Sequence, residues 1–475
     1  MVWGGHSSPP LLKLILNCLV QRQNIKVNGG GQECPPHTWA RILCVRVVTR
    51  DKIACFFLRP ETPSGRVIRG STREVGMKSR SRLVSSFAVW VLVGMTLATG
   101  VRRAQAQSGD DTSVNPAPKT RLPKRLVADY GYWSKTQTPP YGAAQIPYSL
   151  ITTINHSGVS INADGTLFVP DGFLEPELLT NAHAAGVKVL VLLGGDSGAF
   201  STVVADAGLR AALVSNLSKF IKNNHYDGVD VDWEFPGDSS DSEGFAELML
   251  EVRQYLPSPR YLLSIDAGPW GGGFTPFDRL ARHVDYFNIM MYDCAGPWTA
   301  DAQLNSPIFW DHSDPDPWEC QPGGSADGAM DIYLNHFHLS PSQLNMGTPF
   351  YGYYYKGVRA LWQVCPGANP NTNTDCPDGT VLAESYGTFI KQRVTGTGWV
   401  RQYDLVALVP YLLRADGGRG FITYDDALST YARVWYSVWD RGLGGTFMWS
   451  VDQDYDGHSQ DLLGAMNSAI VEGAP

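Results

Sequence analysis

The stretch Tyr226-Asp-Gly-Val-Asp-Val-Asp-Trp-Glu-Phe-Pro-Gly237 sets acids at alternate positions inside what otherwise reads as a buried strand. Side chains two apart on a strand share a face, so Asp230, Asp232 and Glu234 point one way while Val229, Val231 and Trp233 point the other. Three carboxylates spaced roughly 6–7 Å apart repel one another and resist joint desolvation, so folding alone gives no reason to collect them. A solvated edge strand would tolerate them. The apolar face opposite and the Phe-Pro-Gly exit indicate instead a covered strand that finishes at a functional rim. Asp227, three residues before Asp230, falls on the opposite face of a regular strand and reads as structural.

From residue 125 onward, short apolar runs alternate with helix-like stretches, the pattern of repeated β/α units around a parallel sheet. The candidate strands are 126–132, 150–154, 188–193, 228–234, 262–266, 286–292, 343–347 and 445–449. Eight such strands predict an α/β chain closed into a (β/α)8 TIM barrel, with function at the strands' carboxyl ends. An open doubly wound sheet is the alternative, but Gly194-Gly195 alone is no nucleotide fingerprint. Residues 351–443, between the seventh and eighth strands, far exceed one crossover helix. A small α+β insertion is expected there, at about 356–420, walling one side of a cleft. Tyr431, Val434, Trp435 and Val438 then stand at helical spacing, the last helix before the eighth strand.

Charge divides the chain. Residues 1–76 carry eleven Lys/Arg against four Asp/Glu, and 77–106 carry five Lys/Arg and no acid, so a total of −8 leaves −20 for 107–475. An acidic body argues against nucleic acid and against an anionic membrane, and suits a neutral or cationic ligand. Met77 opens a second beginning: Lys78, Arg80 and Arg82 precede an apolar run over 83–100, and Ala104-Gln105-Ala106 forms an Ala-x-Ala cleavage signal. This predicts a signal peptide over 77–106 and a secreted protein, extracellular or periplasmic. The other reading, an uncleaved anchor, is weakened by Ser85, Ser86, Thr96 and Thr99 in a run barely long enough to span. Residues 1–76 are then expected to be an upstream leader from a misassigned start, without structure, and 107–124 a polar linker. Four cysteines remain in the mature part, and an even number in an exported chain favours two disulfides. The closeness of Cys365 and Cys376 favours pairing those two, with Cys294 to Cys320 as the other bridge; buried free thiols are the alternative. No cysteine spacing suits a metal, and no cofactor is expected.

Four motifs in order carry a resemblance. Asp227-Gly-Val-Asp-Val-Asp-Trp-Glu234 resembles the Asp-x-x-Asp-x-Asp-x-Glu signature of glycoside hydrolase family 18 chitinases. Met290-Met-Tyr-Asp-Cys-Ala-Gly-Pro-Trp298 is similar to that family's Met-x-Tyr-Asp-x-x-Gly-x-Trp. Gly347-Thr-Pro-Phe-Tyr-Gly352 and Gly444-Gly-Thr-Phe-Met-Trp-Ser450 resemble its seventh-strand and eighth-strand motifs, and the match covers about 125–470.

A glycosidic oxygen leaves poorly unless protonated, so hydrolysis needs an acid whose pKa is lifted toward neutrality, and Glu234, nearest the rim, is placed for that task. The resemblance implies that the substrate's own 2-acetamido oxygen attacks the anomeric carbon, so that the polymer must be N-acetylated. It implies further that Asp232 orients the acetamido N–H and that Tyr292 donates to its carbonyl oxygen. Asp230 and Asp232 are expected to share a proton. By the same resemblance Trp449 floors the sugar at the cleavage point, and Asp293 is expected to bond sugar hydroxyls or the neighbourhood of Glu234, with Trp298, Tyr351 and Met290 as candidate cleft residues. Tyr130 or Tyr132 on the first strand is expected to bond Asp230, both lying on one face.

The chain departs from the family in two places. Leu192-Leu-Gly-Gly195 replaces Ser-x-Gly-Gly, so a hydroxyl expected near Asp230 is missing and its proton must be held differently. Tyr353 stands where the family has Arg. The expected activity is hydrolysis of β-1,4-linked N-acetylglucosamine in chitin or its oligosaccharides, by a monomer with no stable membrane association. The alternatives are an endo-β-N-acetylglucosaminidase on N-glycans, a non-catalytic chitin-binding lectin, and a barrel enzyme that uses the acids to hold a divalent metal.

Overall fold

The computed structural model describes residues 26–28, 48–49, 52–53, 122–313, 320, 324–372 and 374–473. Eight parallel strands close on themselves: β1 (Arg125–Gly131), β2 (Thr153–Ile161), β3 (Lys188–Gly194), β4 (Gly228–Val231), β5 (Leu262–Ala267), β6 (Tyr286–Ile289), β7 (Leu344–Pro349) and, last in the chain, Gly445–Trp449. That last strand lies between β7 and β1, and β1 pairs with β2, so every ladder has a partner and the sheet is a (β/α)8 barrel.

The second strand begins at Thr153, three residues later than expected, because Tyr148–Leu150 forms a 3-10 turn. The fourth and sixth strands stop at Val231 and Ile289. The Asp232 amide makes the last bond to β3, at 3.0 Å to the Leu193 carbonyl, and Glu234 and Tyr292 lie beyond the strand ends.

Alternation gives the strands an apolar outer face and an inner face where polar side chains gather among apolar ones such as Val127 and Leu192. On the outside of β4, Trp233 stacks on Phe200 at 5.1 Å, meets Phe245 edge-on at 5.2 Å, and donates its indole N–H to Ser197 Oγ at 2.8 Å. Phe200 belongs to the helix Ser197–Ala205 and Phe245 to the helix Ser239–Tyr255, so one tryptophan locks the end of β4 between two helices. Those helices touch through Gly244, where a Cβ would lie 2.5 Å from the carbonyl oxygen of Val204. Asp196 and Asp238 cap their first turns with carboxylate–amide bonds.

Asp227, just before β4, accepts from Lys188 Nζ at 2.8 Å, the Val189 amide at 3.0 Å and the His183 ring at 2.8 Å. Burial alone would raise its carboxyl, but these donors more than offset that and hold it below its ordinary value. Its role is to fasten β4 to β3 on the side away from the row.

After β7 a single residue intervenes before β8 (Tyr351–Tyr355), the first strand of an antiparallel sheet completed by β9 (Val381–Ser385), β10 (Trp399–Asp404), β11 (Val409–Arg414) and β12 (Phe421–Thr423). With the short helix Lys391–Thr395 this forms an α+β insertion, and its sheet opens at Tyr351 rather than near residue 356. Helix Ala427–Trp435 then leads back to the barrel. Disulfides join Cys294 to Cys320 and Cys365 to Cys376.

Within the stretch expected to lack structure, Lys26–Asn28 pairs in parallel with β10. Val48–Thr49 and Lys52–Ile53 form a separate small hairpin. The rest of 1–121, with the expected signal peptide, lies outside the described residues. Among those described, no helix is long and apolar enough to cross a membrane.

Candidate active site

The row of acids rises through the barrel to its mouth. Asp230 is fully buried, and both its oxygens are served: Asn155 Nδ2 donates to Oδ2 at 2.8 Å, while Ser264 Oγ and, at 3.3 Å, Asn288 Nδ2 donate to Oδ1. The register explains the hydroxyl missing from β3. Asp230 stands between Leu192 of β3 and Ser264 of β5, so the hydroxyl comes from the other neighbouring strand. Burial raises the Asp230 carboxyl to about 6, with these donors pulling the other way.

Asp232 has a buried Oδ1 with no hydrogen-bond partner among the described residues. Burial, then repulsion from Glu234 and Asp230, pushes this carboxyl well above its ordinary range. Glu234 is exposed at the rim. Partial desolvation raises its carboxyl, and the charge of Asp293 raises it further.

Asp293 is gripped from the insertion. Tyr351 Oη and Tyr353 Oη both donate to its Oδ1, at 2.5 and 2.8 Å, and its amide donates to Asn305 Oδ1 at 2.9 Å. Burial lifts the Asp293 carboxyl while the two phenols counter it. Tyr353, where the family pattern has Arg, thus fills its place with a neutral donor aimed at an acid. It also meets the half-exposed ring of Trp298 edge-on at 5.6 Å.

Tyr292 is buried, with its ring 6.1 Å from both Tyr351 and Phe447. Burial and then the charges of Asp129, Asp266, Asp293 and Asp232 push its phenol well upward, so it stays a donor facing the acids. Trp449 is half-buried at the end of the last strand, paired in register with Pro349 and 6.5 Å from the exposed ring of Trp133. Met290 is buried just past β6.

The expectation for the first strand is corrected. Tyr130 donates to Glu175 Oε2 at 2.9 Å and stacks on His156 at 5.4 Å, and Tyr132 packs edge-on against Phe173. Neither bonds Asp230. Tyr132 lies past the strand end in the turn Tyr132–Thr136, and the inward face of β1 carries Arg125, Val127 and Asp129, as the pairing of Asp129 with Asn155 fixes.

Sequence reading missed Asp129 and Asp266, both buried and both inward. The available signal was period two: in β1 and β5 each stands alone as an acid within an apolar run. It also missed a line of amides beneath the acids. Arg125 Nε donates to Asn345 Oδ1 at 2.9 Å, Asn345 Nδ2 to Asn288 Oδ1 at 2.9 Å, and Asn288 Nδ2 to Asp266 Oδ1 at 2.9 Å. Each amide dipole points the same way, from a cation toward the carboxylates, which favours their charge. No group of acids, histidines or cysteines suited to a metal is present among the described residues.

Among known proteins, the chain is 29% identical over 316 residues to chitinase A1 of Niallia circulans, an alignment that spans 59% of this chain and 42% of that protein. It is 27% identical over 343 residues to chitinase B of Serratia marcescens, spanning 60% and 68%. The Group IV chitinase of Ostrinia furnacalis, solved in complex with allosamidin, superposes with a TM-score of 0.65 at 25% identity, covering 74% of this chain and all of that one. The family model described as glycosyl hydrolases family 18 matches residues 125–454, which include every barrel strand and the acid row. With that match over more than half its length, the chain belongs to family 18 of the glycosyl hydrolases.

Proposed function

We propose that this protein is a chitinase that hydrolyses β-1,4-linked N-acetylglucosamine in chitin or its oligosaccharides, with retention of configuration. The observation that carries this reading is the pairing of an exposed Glu234, whose carboxyl is raised by desolvation and the Asp293 charge, with an Asp232 whose buried Oδ1 has no donor among the described residues. Glu234 gives its proton to the bridging oxygen as the bond to the anomeric carbon breaks, and the leaving sugar departs neutral. The carbonyl oxygen of the 2-acetamido group attacks that carbon and closes an oxazolinium ring, so no protein nucleophile is required. Asp232 accepts from the acetamido N–H, which supplies the partner its Oδ1 lacks, and its charge offsets the positive ring. Tyr292 donates to the acetamido oxygen. Water activated by Glu234 then opens the ring from the face the leaving group vacated, so configuration is retained.

Trp449 supplies a flat apolar surface beneath the sugar, suited to the C–H face of a pyranose. Asp293 takes sugar hydroxyls, and Trp298, Tyr351 and Met290 border the neighbouring positions. The names of the relatives, chitinases from bacteria and an insect, support the substrate class. Two disulfides support secretion.

The test is product analysis on N-acetylglucosamine oligomers beside a high-mannose glycopeptide. Cleavage of the oligomers, with the β-anomer formed first, is expected. Release of the glycan alone would replace this reading with an endo-β-N-acetylglucosaminidase, and binding without cleavage with a lectin.

A further inference from the structure

Asp129 is a second inward acid that the proposed reaction leaves without a task. It is wholly buried, and neither of its oxygens has a hydrogen-bond partner among the described residues. On the strand beside it, Asn155 gives its amide N–H to Asp230, yet its Oδ1 is also buried without a donor. Asp129 and Asn155 are register partners on adjacent parallel strands, so their side chains emerge toward the same interior space. Orphaned buried acceptors of this kind are costly, and three such oxygens side by side lack hydrogens. A single proton on Asp129 supplies the missing donor.

The charged surroundings agree. The titratable groups that face Asp129 are Asp230 and Asp232 from the end of β4, Asp266 from β5 and Tyr292 beyond β6, all acids. The one cation on its own strand, Arg125, lies four residues away and is committed to Asn345 Oδ1 and the Ser342 carbonyl. Among the described residues, no cation stands beside Asp129 to compensate a carboxylate there. Burial, and then the charge of Asp230, moves the Asp129 carboxyl well above its usual range, with the adjacent Asn155 amide pulling the other way.

We propose that Asp129 is a positioning residue that works as a neutral carboxylic acid, donating its O–H to the Asn155 carbonyl and through Asn155 fixing the Asp230 carboxylate. Asn155 is the link: its Oδ1 is held from Asp129 while its Nδ2 holds Asp230 Oδ2. The device holds Asp230 in place through Asn155 and leaves Asp232 free to turn toward the rim. The assignment deepens the hydrolase reading above and rests on it for its kinetic consequence. The protonation state itself is independent of any substrate.

The experiment uses the full chain with Asp129→Asn, whose N–H replaces the O–H in nearly the same shape, and Asp129→Leu, which offers no donor. Infrared difference spectra of wild type against Asp129→Asn at neutral pH should show loss of a protonated-carboxyl band. Loss of a carboxylate band instead would overturn the proposal whether or not the protein cleaves chitin oligomers. In kinetics, Asp129→Asn should keep kcat within about threefold, while Asp129→Leu loses roughly tenfold in kcat with KM within about twofold. Asp129→Asn should also lose any alkaline break due to ionisation of Asp129. Equal loss in both variants, or a wild-type pH profile in both, would overturn the role. If Asp129→Leu fails to fold, the Asn variant and its spectrum still decide the matter.

Discussion

Replacing Tyr353 with Phe removes one hydroxyl from Asp293 and leaves the ring that meets Trp298 in place. A hydrogen bond to a charged group contributes about 1.5–3 kcal/mol. The lower end applies here, because Tyr351 still donates to the same oxygen at 2.5 Å. About 1.5 kcal/mol corresponds to roughly one pKa unit, by which Asp293 would hold its proton more tightly. The sign for catalysis follows from Glu234, which burial and the Asp293 charge hold above its ordinary value. An acid catalyst is active below its pKa and lost as pH rises through it. When Asp293 takes a proton more readily, the repulsion that raises the Glu234 carboxyl weakens, and any proton the pair shares moves toward Asp293. The alkaline limb of kcat/KM should therefore shift to lower pH, by up to about one unit, with little change at the acid end. The assay is a pH profile on a fluorogenic N-acetylglucosamine oligomer, with thermal melting as a control for folding. An unchanged limb, or one displaced to higher pH in a folded variant, would refute the linkage from Tyr353 through Asp293 to Glu234.

Three other outcomes are expected. Glu234→Gln should lower kcat by at least about a hundredfold with oligomer binding retained, measured by turnover beside calorimetry; undiminished turnover would remove Glu234 from the acid role. Trp449→Ala should cost about 1–2 kcal/mol of transition-state binding, roughly tenfold in kcat/KM, and an unaltered value would place the ring outside the subsite. Asp227→Ala should destabilise the fold by about 1–3 kcal/mol without shifting the pH profile of the reaction. Because the folded pKa of Asp227 lies below its unfolded value, this contribution is present above about pH 4 and is lost as pH falls through the folded value. Denaturation of wild type and variant should thus converge in acid, and a constant gap would contradict the assignment.

The barrel was legible because eight apolar runs repeat with helical stretches between them, and the acid row because period two is enforced by strand geometry. What lay hidden was set by register between strands far apart in the chain. The hydroxyl missing at Leu192 reappears as Ser264, a substitution visible only when β3, β4 and β5 are laid side by side. Tyr130 drew attention as an aromatic near the row, yet phase on β1 places Asp129 inward and sends Tyr130 to Glu175. Tyr353 read as the loss of a cation, since nothing local announces that its hydroxyl meets an acid sixty residues away. The line from Arg125 through Asn345 and Asn288 joins three strands, and no one of them alone gives reason to expect it.

The insertion leaves the barrel with one residue between β7 and β8, and its first strand carries both phenols that grip Asp293. It is therefore no detachable module. Trimming the chain to a bare barrel, or grafting in the corresponding segment of another family member, would exchange the sheet that begins at Tyr351 and the environment of Asp293 and Glu234 in one cut. Substrate reach and working pH should consequently change together whenever this segment does.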